Sequence, residues 1–481
     1  MSASLTPAKA VARLEALHAQ ATDALADAVA SYLGGGAPPT PEIRARFRYP
    51  ELRVSHAPSG LAPKISRAYG QLIWPGDYAV TVTQPEFFRS YILEQLQLLV
   101  DDYGATVSVG VSDTEIPYAF VLDGSRTIDV HQVPPSELTR HFPYPQLAAV
   151  GDSVVDGFPL ERLDGARPLA LFDAPRIDYS LKRLQHYTGA AWQHTQPWIL
   201  FTNYQRYVDE FVRYAAGRVR AEPKKYRLSC PGGVTIEGDT PDPEDTALNA
   251  PWRKYQMPAY HLMEKGGEGI TLINIGVGPS NAKTITDHLA VLRPHCWMMI
   301  GHCGGFRHSQ RIGDYVLAHA YLRRDKVLDD HVSLDIPIPA IAEVQVALQQ
   351  AAQIVSGDTG EALKRRLRTG TVVSYADRNW ELNYLKEQRL LSQSRAIAVD
   401  MESACIATQG FRLRVPYGVL LCVSDKPLHG EIKLPGAADL FYDRAIGEHL
   451  KIGVETIAIL KRDKASLHSR KLRSFDEPPF R

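Results

Sequence analysis

The chain has 481 residues, 44% hydrophobic and 22% charged, and its 54 basic and 54 acidic side chains cancel. That balance excludes a nucleic-acid partner held by bulk charge, and the length is too great for one simple core, so two domains are expected. Cys230, Cys296, Cys303, Cys405 and Cys422 are scattered, odd in number and without C-x-x-C spacing, which argues against a disulfide framework or a zinc ribbon and for a reducing compartment.

The N-terminus shows no charged segment followed by an apolar core, so no signal peptide is expected. No apolar run reaches about eighteen residues, the length a membrane span needs. The expectation is a cytoplasmic protein. Residues 7–33 carry Val11, Leu14, Leu17, Ala21, Leu25 and Val29 at the spacing of an amphipathic helix. Gly34-Gly35-Gly36-Ala37-Pro38-Pro39 stops it. A strand is expected at 78–83, then a helix from near Pro85 with Phe88, Ile92, Leu96 and Leu99 on one face. Segments 105–111 and 118–122 read as two more strands. These elements make an α+β domain over residues 1–185, with no chemical motif in it.

A helix at 178–187 leads into the second domain, 186–481. It opens with the strand Trp198-Ile199-Leu200-Phe201, followed by a helix at 206–215. The Pro-, Asp- and Thr-rich stretch 239–249 reads as a loop. Strands at 270–275, 296–300, 371–374, 396–399 and 417–423 then alternate with helices at 281–292, 402–410 and 437–460. Such alternation argues for an α/β domain around a mostly parallel sheet. The basic stretch 461–473 is short and terminal, and reads as a solvated tail.

Gly276-Val277-Gly278-Pro279-Ser280-Asn281 follows a strand and opens a helix. A tight turn there can aim backbone N–H groups at an anion. Lys283-Thr284 suggests a P-loop, but that pattern needs glycines where Val277 and Ala282 stand. Gly301-His302-Cys303-Gly304-Gly305-Phe306 reads as a second such turn, and two turns on neighbouring strands would form a ligand crevice. The spacing of His302, Cys303 and His308 matches no standard metal site.

Two segments carry the chemistry. Ala398-Val399-Asp400-Met401-Glu402-Ser403-Ala404 and Val419-Leu420-Leu421-Cys422-Val423-Ser424-Asp425 each put a carboxylate at the end of an apolar strand, where ligands meet a sheet's carboxyl edge. One carboxylate can grip a vicinal diol and the other can protonate a leaving group, which suits cleavage of a glycosidic bond to a nucleobase. An aspartate after a strand also serves as a helix cap, and Asp400 fits that role.

In their order along residues 195–460, the two glycine-rich segments, the Met401-Glu402 segment and Ser424-Asp425 resemble the nucleoside phosphorylase/nucleosidase superfamily. The whole chain resembles the AMP nucleosidase family within it, through Phe201-Thr202-Asn203-Tyr204-Gln205-Arg206-Tyr207, Ala376-Asp377-Arg378-Asn379-Trp380-Glu381-Leu382, Ser424-Asp425-Lys426-Pro427-Leu428-His429-Gly430 and the large N-terminal domain. The resemblance implies an α/β catalytic domain around a central mixed sheet. It implies hydrolysis of AMP to adenine and ribose 5-phosphate, with no cofactor needed for the chemistry. It also implies MgATP as an allosteric activator, regulation by inorganic phosphate, and a homohexamer. The alternative is a purine nucleoside phosphorylase, or a nucleosidase of unphosphorylated nucleosides.

By this resemblance Asp425 protonates N7 of adenine, which requires desolvation to raise its pKa. Glu402 accepts from both ribose hydroxyls, and Met401 packs against the sugar. Gly278, Gly301 and Ser424 would border the substrate. Candidates for the 5′-phosphate are Arg206 with Asn203, Arg307 with His308, Arg378, and Arg253. Trp380, Tyr375 and Phe306 are candidates to stack on adenine, although each residue type is more often core. The hexameric phosphorylases place an arginine two residues before the glycine of the second turn, to hold phosphate, and commonly a serine after it. Here those positions are Met299 and His302, which favours water as the nucleophile.

Overall fold

The computed structural model describes residues 4–57, 67–123, 128–157, 164–432, 435–467, 472 and 477–481, with backbone alone for 435–444. The chain forms two compact units, Met1–Lys182 with Arg473–Arg481, and Arg183–Leu472. The division falls inside the helix Ala174–Thr188. The last residues belong to the first unit because Phe480 joins its backbone: Phe480 N donates to Leu169 O at 2.8 Å, and Leu171 N to Phe480 O at 3.2 Å.

In the first unit the helix Pro7–Leu33 starts where the sequence places it, with Pro7 at its first turn and the Thr6 hydroxyl accepting from Lys9 N. Four strands, β1 (Arg48–His56), β2 (Gly76–Thr81), β3 (Thr106–Glu115) and β4 (Arg167–Pro168), form a sheet in the order β3-β1-β2-β4. The helix expected from Pro85 spans Arg89–Tyr103 and is stopped by Gly104, whose φ is 62°. Segment Tyr118–Leu122 is a short helix, not a strand. Tyr118 and Leu122 both bury into the cluster with Leu138 and Phe142, and residues i and i+4 share a face in a helix.

The second unit carries β5 (Trp198–Thr202), β6 (Tyr226–Ser229), β7 (Thr235–Ile236), β8 (Ala259–Glu264), β9 (Ile270–Asn274), β10 (Cys296–Gly305), β11 (Tyr315–Arg324), β12 (Leu367–Tyr375), β13 (Ala398–Asp400) and β14 (Tyr417–Asp425). They form one sheet, β13-β12-β11-β14-β10-β5-β9-β8-β6-β7, with β13 also pairing back to β10. The sheet is mixed, not mostly parallel. β10 runs parallel to β5 and β14, but β11 is antiparallel to β14, β13 to β10, and β8 to β9. The central strands β5 and β14 are buried nearly throughout, which is why they read as unbroken apolar runs. The stretch expected as a loop at 239–249 includes a short helix, Pro243–Leu248.

The return of β13 to β10 closes a ring of five strands. Gly304 pairs with Val399 and Gly305 with Ala398. A Cβ on Gly304 would lie 3.0 Å from Val399 Cγ1, and one on Gly305 3.0 Å from Val423 Cγ1. The segment 301–305 is therefore not a turn at a strand end. It is the second half of β10, and its glycines let a third strand approach. Nor do β9 and β10 adjoin, because β5 lies between them.

Segment 461–473 is not a free tail in its described part. Lys461 pairs with Glu264 at 2.9 Å and Lys464 with Glu268 at 2.6 Å. Arg470, Lys471 and Arg473 of that segment lie outside the described residues. No helix among the described residues is long and apolar enough to cross a membrane.

The helix Ser403–Leu413, which follows the Met401-Glu402 segment, packs without slack. A Cβ on Gly410 would sit 2.3 Å from the Tyr417 ring and 2.8 Å from Val415 O. Gly410→Ala is expected to cost about 1–3 kcal/mol through overpacking, seen as a lowered midpoint in chemical denaturation.

Candidate active site

Asp400 ends β13 and is buried. Its Oδ1 accepts from Ser374 Oγ of β12 at 2.5 Å, and its Oδ2 from Ser403 N at 2.8 Å, Ser403 Oγ, and Glu402 N at 3.4 Å. Ser374 Oγ in turn accepts from Ala404 N at 2.9 Å. Asp400 thus supplies the acceptor that the first turn of helix Ser403–Leu413 lacks. It serves as the cap, as the sequence allows.

Glu402 is 1% exposed and is held from two directions. Gly278 N donates to its Oε1 at 2.7 Å, and Asn203 Nδ2, beyond the end of β5, to its Oε2 at 3.1 Å. The group met by the glycine turn after β9 is therefore the protein's own Glu402 carboxyl. Gly278 precedes helix Pro279–Leu289 with a φ of 117°, a conformation that favours glycine. A carboxylate has about four lone-pair positions, so both oxygens keep capacity for further donors. Burial first, and the neighbouring Asp400 second, push the Glu402 carboxyl up to about 8. Burial also raises Asp400, against the four donors described above. Those donors favour the ionised form of Asp400 and oppose the effect of its burial.

Asp425 ends β14. The register between β10 and β14 slips between Cys303 and Gly304, so Gly304 pairs with Asp425. Such a bulge re-aims the side chain that follows it. The Ser424 hydroxyl lies 2.6 Å from Asp425 Oδ1 and 3.3 Å from Cys303 O, orienting the carboxyl at the bulge.

Asn203, Met401, Glu402, Ser424 and Asp425 line one cavity of about 240 Å³, together with His302, Tyr204, Arg378 and Trp380. The separation in sequence between the two carboxylate segments thus closes in space. Gly278 touches the site through its N–H. Gly301 is buried behind it, where a Cβ would lie 2.6 Å from Met299 Cε and 3.3 Å from Asn203 Oδ1. Arg206 and Arg307 are not among the residues lining the cavity. Arg307 is exposed and its guanidinium donates to Arg395 O at 2.7 Å. Tyr375 and Phe306 belong to a buried cluster with Trp380, whose ring stacks on Tyr375 at 5.9 Å. Of these three aromatics, Trp380 reaches the cavity.

The sequence reading did not single out Tyr207 or His449. Tyr207 Oη lies 3.2 Å from His302 Nε2 and 2.6 Å from His449 Nδ1. Nothing local marks His449, which sits on the C-terminal helix Pro435–Arg462. A larger hollow of about 470 Å³ in the first unit is lined by Arg44 and Arg48. Its cations already meet acids: Arg44 pairs with Glu115 at 2.6 Å and Arg48 with Asp113 at 3.1 Å.

A ring-closed mixed sheet, with two carboxylates at the ends of β13 and β14 facing one cavity, defines a protein of the phosphorylase superfamily. The family described as "Phosphorylase superfamily" matches residues 234–458, and the one described as "Bacterial AMP nucleoside phosphorylase N-terminus" matches residues 9–164. The AMP nucleosidase of Escherichia coli K12 is 55% identical over 482 residues, covering 99% of each chain. The chain belongs to the AMP nucleosidase family. A 5′-methylthioadenosine/S-adenosylhomocysteine nucleosidase of Desulfotalea psychrophila is 25% identical over 201 residues, 41% of this chain and 82% of that one. The crystal structure of AMP nucleosidase from Bacteroides thetaiotaomicron aligns at 26% identity and a TM-score of 0.45, covering 60% of this chain and 99% of that one.

The surroundings of Glu402 set the sign of two substitutions. Asp400→Asn removes a negative neighbour and should lower the pH at which Glu402 ionises. Asn203→Leu removes a donor to the carboxylate and should raise it. The ¹³C carboxyl shift of Glu402, followed against pH, checks both; shifts in the same direction would contradict this electrostatic account.

Proposed function

We propose that this chain hydrolyses the N-glycosidic bond of AMP to adenine and ribose 5-phosphate. The observation that carries the reading is the pair Asp425 and Glu402 lining one cavity, in a chain that matches the E. coli AMP nucleosidase from end to end. Glu402 accepts from the two ribose hydroxyls, and its charge favours an oxocarbenium-like transition state. Met401 covers the sugar. Asp425, oriented by Ser424, delivers a proton to N7, so the base leaves neutral. Asp400, held by Ser374, Ser403 and two backbone N–H groups, fixes the helix turn that carries Glu402.

Water is the nucleophile in this reading. Met299, where the phosphorylases resembled by the sequence carry an arginine, is fully buried and apolar, so it offers no charge to inorganic phosphate. Among the described residues lining the cavity, Arg378 is the cationic side chain that suits the 5′-phosphate, although Glu381 stands at the same rim. The reading extends to a homohexamer activated by MgATP and sensitive to phosphate. Sedimentation and AMP turnover with and without each effector test that extension; a monomer indifferent to both would end it.

Product analysis tests the main reading. AMP incubated with the full chain and no phosphate should yield adenine and ribose 5-phosphate, and Asp425→Asn should lower kcat by about 100-fold or more while AMP still binds. Cleavage of adenosine that required phosphate would support the phosphorylase alternative instead. Because Glu402 works as the anion, and burial beside Asp400 pushes its carboxyl up to about 8, kcat/KM should rise with pH up to about 8 and then level on that limb.

Arg378→Ala separates nucleotide from nucleoside. It should raise KM for AMP by about tenfold, the loss of roughly one charge-assisted contact, and leave KM for adenosine within about twofold. Equal effects on both substrates would remove Arg378 from the phosphate site.

A further inference from the structure

One wall of the cavity is carried by a segment with little apolar anchorage. Trp380 lines the cavity and opens the turn Trp380–Asn383, which runs on into helix Tyr384–Ser394. Leu391 is the buried residue of that helix. Leu385, and Leu382 in the turn before it, are each 86% exposed. A helix with so narrow a buried stripe needs another hold on the sheet.

Glu387 supplies it. Its Oε1 accepts from Arg324 Nη2 at 2.8 Å, and its Oε2 from Tyr375 Oη at 2.9 Å. Arg324 and Tyr375 are register partners at the ends of β11 and β12. One carboxylate therefore ties the helix to two neighbouring strand ends. Burial first, and Glu387 second, push the Tyr375 hydroxyl up, so it keeps its proton and donates. Partial burial opposes ionisation of Glu387, but Tyr375 and Arg324 outweigh it and hold the carboxyl below its usual range. Both oxygens are thus acceptors in charge-assisted bonds.

Tyr375 passes the constraint on to the cavity. Its ring lies within 10° of parallel to the Trp380 indole, with centroids 5.9 Å apart. Phe306 meets the same indole edge-on at 5.6 Å. Arg378 belongs to a turn with its own closure, in which Asp377 Oδ1 accepts from Asn379 N at 2.9 Å.

We propose that Glu387 is a positioning residue for the base end of the cavity: by gripping Tyr375 and Arg324 it fixes the Trp380 indole as a flat wall for adenine. The inference rests on the AMP reading. Glu387 is not among the described residues lining the cavity, so it acts through Tyr375 and Trp380. A wall fixed beforehand spares the base the cost of ordering the indole as it binds.

The two products probe the two ends of the site, so the full-length protein is tested with adenine and ribose 5-phosphate as inhibitors of AMP cleavage. Tyr375→Phe keeps the ring and removes its bond to Glu387; Glu387→Ala removes both bonds. Each should weaken adenine inhibition and raise KM for AMP by about fivefold, the loss of roughly one hydrogen bond. Ribose 5-phosphate inhibition and kcat should stay within about twofold, because the wall contributes equally before and during bond cleavage. The double variant should be no weaker than the weaker-binding single, since the two residues act as a unit. Adenine should quench the tryptophan fluorescence of the wild type, and Trp380→Phe should abolish the quench. Adenine inhibition unchanged in both single variants would overturn the inference. So would an equal loss for ribose 5-phosphate, additive losses in the double variant, or a quench that survives Trp380→Phe. Wild-type protein that formed no adenine from AMP would overturn the reading beneath it; wild-type turnover with adenine inhibition unchanged in both single variants would overturn this inference alone.

Discussion

The buried carboxylate of Asp400 is the interaction on which the site depends. A charge withdrawn from water costs several kcal/mol unless it is fully hydrogen-bonded. Here the donors come from β12, from the segment after β13, and from the first turn of the following helix. Loosening any one of these strands a charge in the core. The junction therefore has one arrangement, and Glu402, two residues on, inherits its position from it. Ser374 is central to this, since its hydroxyl both donates to Asp400 and accepts from Ala404 N.

Two further constraints bring the chemistry together. Gly304 and Gly305 let β13 return to β10 and close the ring of strands. The slip in register beside Gly304 turns Asp425 at the end of β14. Without closure, the two carboxylate segments would occupy separate parts of an open sheet. With it, one carboxyl lies among backbone and amide donors and the other beside a serine hydroxyl. Different surroundings give chemically similar groups different roles.

Much of this was legible in local pattern. The helix Pro7–Leu33 followed from apolar spacing and a proline at its first turn. The strand ends that carry Asp400 and Asp425 followed from apolar runs closed by an acid. Short segments were less legible. Tyr118–Leu122 has strand-like composition, and five residues are too few for periodicity to separate helix from strand. Segment 301–305 looked like a turn because glycine is usual in turns, whereas here it allows close strand approach. Arg307 was a phosphate candidate by neighbourhood; its guanidinium donates to Arg395 O, and it is not among the described residues lining the cavity.

The sequence by itself determined the chemical inventory: a glutamate able to grip a diol, an acid at a strand end, a glycine-rich turn opening a helix, and a methionine where the resembled phosphorylases carry an arginine. These are local matters of residue type and near neighbours, and the chain states them directly. Tertiary structure decided which groups meet. Asn203 reaches Glu402 across 199 positions, and Tyr207 reaches His449 across 242. Such pairings arise from strand order and ring closure, which are properties of the folded sheet.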